Sequence, residues 1–194
     1  MSTKRIRAKA DELVGYGYSR QHLYDTLVLE FPDATPERVA GVVRYVPSEA
    51  ARAEYAAVHQ GLLLVIGLTA LMHLVDRWAG MASGADTILS LLRALPFASL
   101  FLGVALFRWR GEVLPLLVVV NGAGALGLFG DVGELMKGAL PWTSLVKHGL
   151  ALATALLAWH LYRKVFGKAE AITDPTGIKP TTYLFPPEPG IHRI

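Results

Sequence analysis

The stretch GLLLVIGLTALMHLVDRWAG, residues 61–80, decides the fold class. From Tyr55 to Val75 no residue carries a formal charge when His59 and His73 are neutral, and those 21 residues match the ~20 apolar positions that a helix needs to cross a bilayer. Ser48 stands ahead of EAARAEY, where its hydroxyl can cap the approach to this helix. The run ends in His73, Asp76, Arg77 and Trp78. A polar end of this kind is either the place where lipid stops or part of a site.

Composition supports a membrane protein. Of 194 residues, 53% are hydrophobic and 18% charged, against about 45–50% and about 25% in soluble domains. Three further apolar runs follow, at 87–107, 113–130 and 143–162, which with 55–75 make four spans. Fifteen of the 19 Lys and Arg residues lie in 1–52, in Arg108 and Arg110, or in the tail from Arg163; the other two loops hold only Arg77 and Lys137. The positive-inside rule then puts both termini in the cytoplasm, in a bacterial cytoplasmic membrane. The same distribution accounts for the pI near 9.2 without nucleic acid. Cysteine is absent, which excludes disulfides and thiolate chemistry. The basic start MSTKRIRAKADELVGYGYSR has no apolar core behind it, so no cleavable signal peptide is expected.

The expected fold class is therefore all-α: a polytopic, N-in and C-in, four-helix transmembrane bundle over 48–166. It carries a small cytoplasmic helical module at 1–47 and an extended cytoplasmic tail at 167–194. Within the module, Ser19 can cap RQHLYDTLVLEF, where Leu23, Leu27 and Phe31 repeat at helical spacing. Thr35 followed by Pro36 starts a second helix, with Val39, Val42, Val43 and Val46 as its apolar face. The stretch LEFPDATPERVAGVV resembles the Phe-Pro turn of CUE-type ubiquitin-binding modules over its 15 residues, but lacks their later dileucine. The tail DPTGIKPTTYLFPPEPGIHRI has five prolines in 21 residues and reads as extended. It is either a free end or a strand that lays Tyr183, Leu184 and Phe185 into a groove of the module.

LPLLVVVNGAGALG, residues 114–127, holds G-x-G-x-x-G at Gly122, Gly124 and Gly127. A dinucleotide fingerprint needs a strand before it, a helix after it and an acidic residue ~20 positions on; here the neighbours are spans and that region reads SLVKHG. Small residues in a bilayer instead let helices approach closely. The same reading covers Ser90, Ala94 and Ala98 on the second span, and Ala151 and Ala155 on the fourth.

The polar residues near the outer surface form the candidate cluster. His73, Asp76 and Arg77 share one helix face at spacing i, i+3, i+4. Arg93 lies six residues inside the second span, about 9 Å deep at ~1.5 Å per residue. Lys147 and His148 open the fourth span, and Asp131 and Glu134 sit between the third and fourth. Asp76, Asp131 and Glu134 can thus face Arg77, Arg93 and Lys147 at similar depth. Asn121, near the middle of the third span, needs a partner across the bundle or a polar path.

Three function classes follow. The first is a non-enzymatic membrane assembly protein, without cofactor or metal, that forms a homo-oligomer through its small-residue faces and offers residues 1–47 to a cytoplasmic protein partner. The second is a small oligomeric channel or carrier for ions, protons or a small anion, its path lined by Arg93, Asn121 and the outer carboxylates Asp76, Asp131 and Glu134. The third is an enzyme acting on a lipid phosphate, with His73 or His148 as general base, Asp131 or Glu134 orienting it, and Arg93 and Lys147 on the phosphate.

Overall fold

The computed structural model describes residues 3–81, 97–139, 141–173 and 181–187. The chain is mostly helical and divides into two compact units. One unit gathers Met1–Ala57, Trp109–Gly111 and Leu161–Ile194; the other spans Val58–Arg108 and Glu112–His160.

The first unit is built on three helices, α1 (Thr3–Gly15), α2 (Arg20–Glu30) and α3 (Pro36–Val43), followed by the short α4 (Glu49–Glu54). Their starts are chemical. Ser19, Thr35 and Ser48 each accept a backbone N–H of the following first turn, at 3.3 Å in all three cases, a cap that contributes about 1 kcal/mol. Pro36 occupies the first turn of α3, where its missing N–H costs no bond. Gly17, at φ +81°, turns the chain between α1 and α2 in the left-handed region that glycine enters without a Cβ clash.

One helix precedes the two that the capping signals predict. α1 begins at Thr3 and buries Ile6, Ala10, Leu13 and Val14. Their spacing of i, i+4, i+7, i+8 was an amphipathic signal masked by the surrounding Lys and Arg. Leu23 and Leu27 of α2 and Val39 and Val43 of α3 complete the core with no exposed surface.

The same unit takes in the other end of the chain. Beyond the long helix α9 (Trp142–Val165), β1 (Glu170–Ile172) pairs antiparallel with β2 (Thr182–Leu184), with Ala171 opposite Tyr183. Phe185 follows β2 and joins the core of the helical module at 7% exposure. The carbonyls left open where α9 ends meet two arginines: Arg20 Nη1 donates to Val165 O at 2.7 Å, and Arg44 Nε donates to Phe166 O at 3.4 Å. Basic side chains suit a helix C-terminus for both its free acceptors and its dipole. Gly111 packs flat on the Phe166 ring, where a Cβ would stand 2.6 Å from the ring carbons.

The second unit holds most of α5 (Ala56–Met81), α6 (Phe97–Phe107), α7 (Leu114–Gly130), α8 (Val132–Met136) and most of α9. Two described segments, Ala56–Asp76 and Gly111–Gly130, are long and apolar enough to cross a membrane. Of the apolar window in each, only 17% and 11% is buried. Four spans were expected. α9 has the length, with 24 residues, but Lys147, His148 and His160 keep it out of this apolar class. α6 has 11 described residues, and the rest of the expected second span lies outside the described residues.

Candidate functional site

Apolar helices impose one rule on their polar side chains: each must find a partner inside the protein. Three of them turn back on their own helix. Thr69 donates to Val65 O and Thr154 to Leu150 O, both at 2.8 Å, and Asn121 Nδ2 donates to Leu117 O at 3.0 Å. Asn121 Nδ2 thus finds an acceptor one turn back on its own helix. His59, 5% exposed, shares a 2.9 Å hydrogen bond between Nε2 and Leu106 O, which ties α5 to α6.

The cluster near the expected outer surface is assembled in part. Lys147 forms an ion pair with Asp76, joining α9 to α5. His148 lies between two acceptors, with Nδ1 at 2.8 Å from Gly124 O and Nε2 at 3.1 Å from Asp131 Oδ2. One ring thus bridges a main-chain carbonyl of α7 and a carboxylate just beyond that helix. Through Lys147–Asp76 and His148–Gly124, α9 is joined to α5 and α7. His73 is exposed, as is Glu134 on the five-residue α8. Arg93, Ser90 and Ala94 lie outside the described residues, as do the side chains of Arg77 and Ala98. Among the described residues no group of three His, Asp or Glu side chains could hold a metal ion.

The glycine-rich stretch belongs to helix packing, within the chain itself. A Cβ on Gly124 would meet the Ala151 methyl at 3.6 Å, and one on Gly127 would meet His148 Cε1 at 3.1 Å. The second approach is tight, and the absence of a side chain there admits the imidazole that reaches Gly124 and Asp131. Ala155 is buried at 8% exposure, whereas Gly122 has nothing within 4 Å. Gly122 thus packs on no neighbour within the described chain.

The first unit contains what the sequence reading missed: a cleft of about 510 Å³. One wall is the Glu37, Ala40, Gly41, Arg44 stripe of α3; the other is Lys168–Ala171 with Tyr183. The space exists because Ala40, Gly41, Ala169 and Ala171 are too small to fill the gap between helix and sheet. Glu37, Lys168 and Glu170 are exposed around it. Arg44 is braced, with its guanidinium against the Tyr162 hydroxyl and 5.3 Å from the ring centroids of both Tyr45 and Tyr162. Beside the cleft, burial pushes the Tyr24 hydroxyl above the usual tyrosine range. These residues lie far apart in sequence, so no local motif signals the cleft.

Compared with known proteins, the chain matches no family model, no curated protein and no solved structure.

Proposed function

We propose that the chain is a non-enzymatic integral membrane protein of the interaction class: a four-span anchor that forms a homo-oligomer and offers its folded module to a cytoplasmic protein partner. The observation that carries this reading is the make-up of the first unit, which draws on both ends of the chain and on Trp109–Gly111. A folded module cannot straddle a bilayer. On this reading the chain crosses the bilayer an even number of times between Ala57 and Trp109, and again between Gly111 and Leu161. With Ala56–Asp76 and Gly111–Gly130 as outward crossings, the apolar sequence runs 87–107 and 143–162 supply the two returns. The Lys and Arg bias makes that compartment the cytoplasm.

An interaction role is favoured over chemistry by three of the described polar groups of the spans, which are used within the chain: Lys147 on Asp76, His148 on Asp131, Asn121 on its own helix. Gly124 and Gly127 are likewise used inside the chain. The contact between copies belongs instead to the outward stripe of α7, where Gly122 lies among Val119, Leu126 and Phe129, exposed by 68%, 63% and 73%.

The chain has no cysteine, so single substitutions can report on this directly. Val119→Cys and Leu126→Cys in native membranes should give disulfide-linked dimers on mild oxidation, while Leu152→Cys should not. Native mass spectrometry in mild detergent should show the same assembly. A strict monomer by both methods, with no second polypeptide bound, would remove the basis of the proposal.

A further inference from the structure

β2 is held along both edges. β1 takes one edge, pairing Glu170 with Leu184 and Ile172 with Thr182. Residues i and i+2 of a strand present their main-chain groups on the same side, and the edge carrying Tyr183 and Phe185 is taken by a single side chain. Gln21 Nε2 donates to Tyr183 O at 3.4 Å, and the Phe185 N–H donates to Gln21 Oε1 at 3.0 Å. One amide on α2 thus does the work of a third strand.

Side chains supply the sequence dependence. Phe185 enters the helical core, its ring 5.9 Å from Tyr24 and 6.0 Å from the Arg20 guanidinium. Tyr183 meets Tyr24 edge-on at 6.1 Å. Pro186 rests on Gly167, where a Cβ would stand 3.1 Å from its Cγ, and Pro186 and Pro187 restrict the chain to extended conformations. Main-chain bonds that read an extended backbone, with two aromatic anchors two residues apart, are the features of strand-addition peptide recognition. The cleft walled in part by Tyr183 lies next to this seat.

We infer that the helical module α1–α3 is a peptide-recognition module whose seat is filled in cis by Thr182–Pro186, and that a partner chain binds by offering an extended aromatic-x-Phe-Pro segment in place of this tail. The inference rests on the interaction role proposed above and names the class of ligand. The tail is then both an occupant and a competitor, which sets a threshold for the partner.

The test uses the full-length chain with a protease recognition sequence inserted between Thr176 and Gly177, cut after purification so that the tail is held without a covalent link. The probe is a fluorescent peptide of residues 181–188, followed by polarisation. The cut chain should bind it saturably, and the uncut chain at least tenfold more weakly. Phe185→Ala in the peptide, or Gln21→Ala in the protein, should each weaken binding at least tenfold. Circular dichroism of the cut chain during exchange should keep its helical signal. The inference is overturned if the wild-type and Phe185→Ala peptides bind alike, or if loss of the tail unfolds the module, since the tail would then be a structural strand only. Neither result touches oligomerisation or partner binding through another surface, so the broader proposal stands or falls on the crosslinking and native-mass measurements.

Discussion

Arg20 and Val165 are 145 residues apart in the chain, yet the guanidinium of Arg20 donates to the Val165 carbonyl at 2.7 Å, with only 2% of the arginine exposed. The bond joins the first turn of α2 to the last carbonyls of α9. A hydrogen bond from a charged donor contributes about 1.5–3 kcal/mol, and its loss strands a buried acceptor. Arg20→Leu should lower the unfolding free energy of the first unit by that amount, and hydrogen exchange should accelerate around Phe166. Unchanged exchange there would show that the latch carries no stability.

Gly111 should tolerate no side chain. Its Cβ would overlap the Phe166 ring at 2.6 Å, and overpacking of this kind costs about 1–3 kcal/mol. Gly111→Ala should lower the melting temperature in detergent, and Phe166→Leu in the same chain should recover part of the loss. Gly61→Ala, with nothing within 4 Å, serves as the control and should melt with the wild type.

The two ion pairs of the helical unit should behave as coupled pairs. In double-mutant cycles, Lys147→Met with Asp76→Asn, and His148→Gln with Asp131→Asn, should each show the double variant milder than the sum of the singles. The Lys147 and Asp76 side chains are 37% and 38% exposed, so their coupling should be no more than about 1 kcal/mol. Strict additivity in both cycles would show that the pairs do not clamp the helices.

Tyr24 sets an alkaline limit on the module. Burial raises its pKa above the usual value of 10.0, partly offset by a hydrogen bond with the Tyr183 main chain. The folded state therefore keeps the proton where the unfolded chain has lost it. Its contribution is complete below pH 10 and falls as pH rises from there through the raised folded value. Unfolding midpoints measured between pH 9 and 11.5 should decline for the wild type and decline less steeply for Tyr24→Phe. Parallel curves would rule out Tyr24 as the titrating group.

What the sequence by itself determined is local. Ser19, Thr35 and Ser48 begin helices because a hydroxyl accepts the backbone N–H three residues on, and Pro36 suits a first turn because of its fixed φ. The apolar run around residues 61–75 is a membrane-compatible helix because its length and lack of charge suffice. The α1 helix was legible in the same terms, through Ile6, Ala10, Leu13 and Val14, although its basic residues drew attention to topology. Tertiary structure decided everything that joins distant segments. Asp76 meets Lys147 and Asp131 meets His148, pairings that depth along a helix leaves open because rotation about its axis is free. Gly124 and Gly127 found Ala151 and His148 because only the packed helices establish which face of α7 meets α9. The Gln21 clamp on Tyr183 and Phe185, the cleft of small residues and the Arg20 latch have no sequence signature, since each is a contact across more than a hundred residues whose partners only the closed chain brings within hydrogen-bond reach.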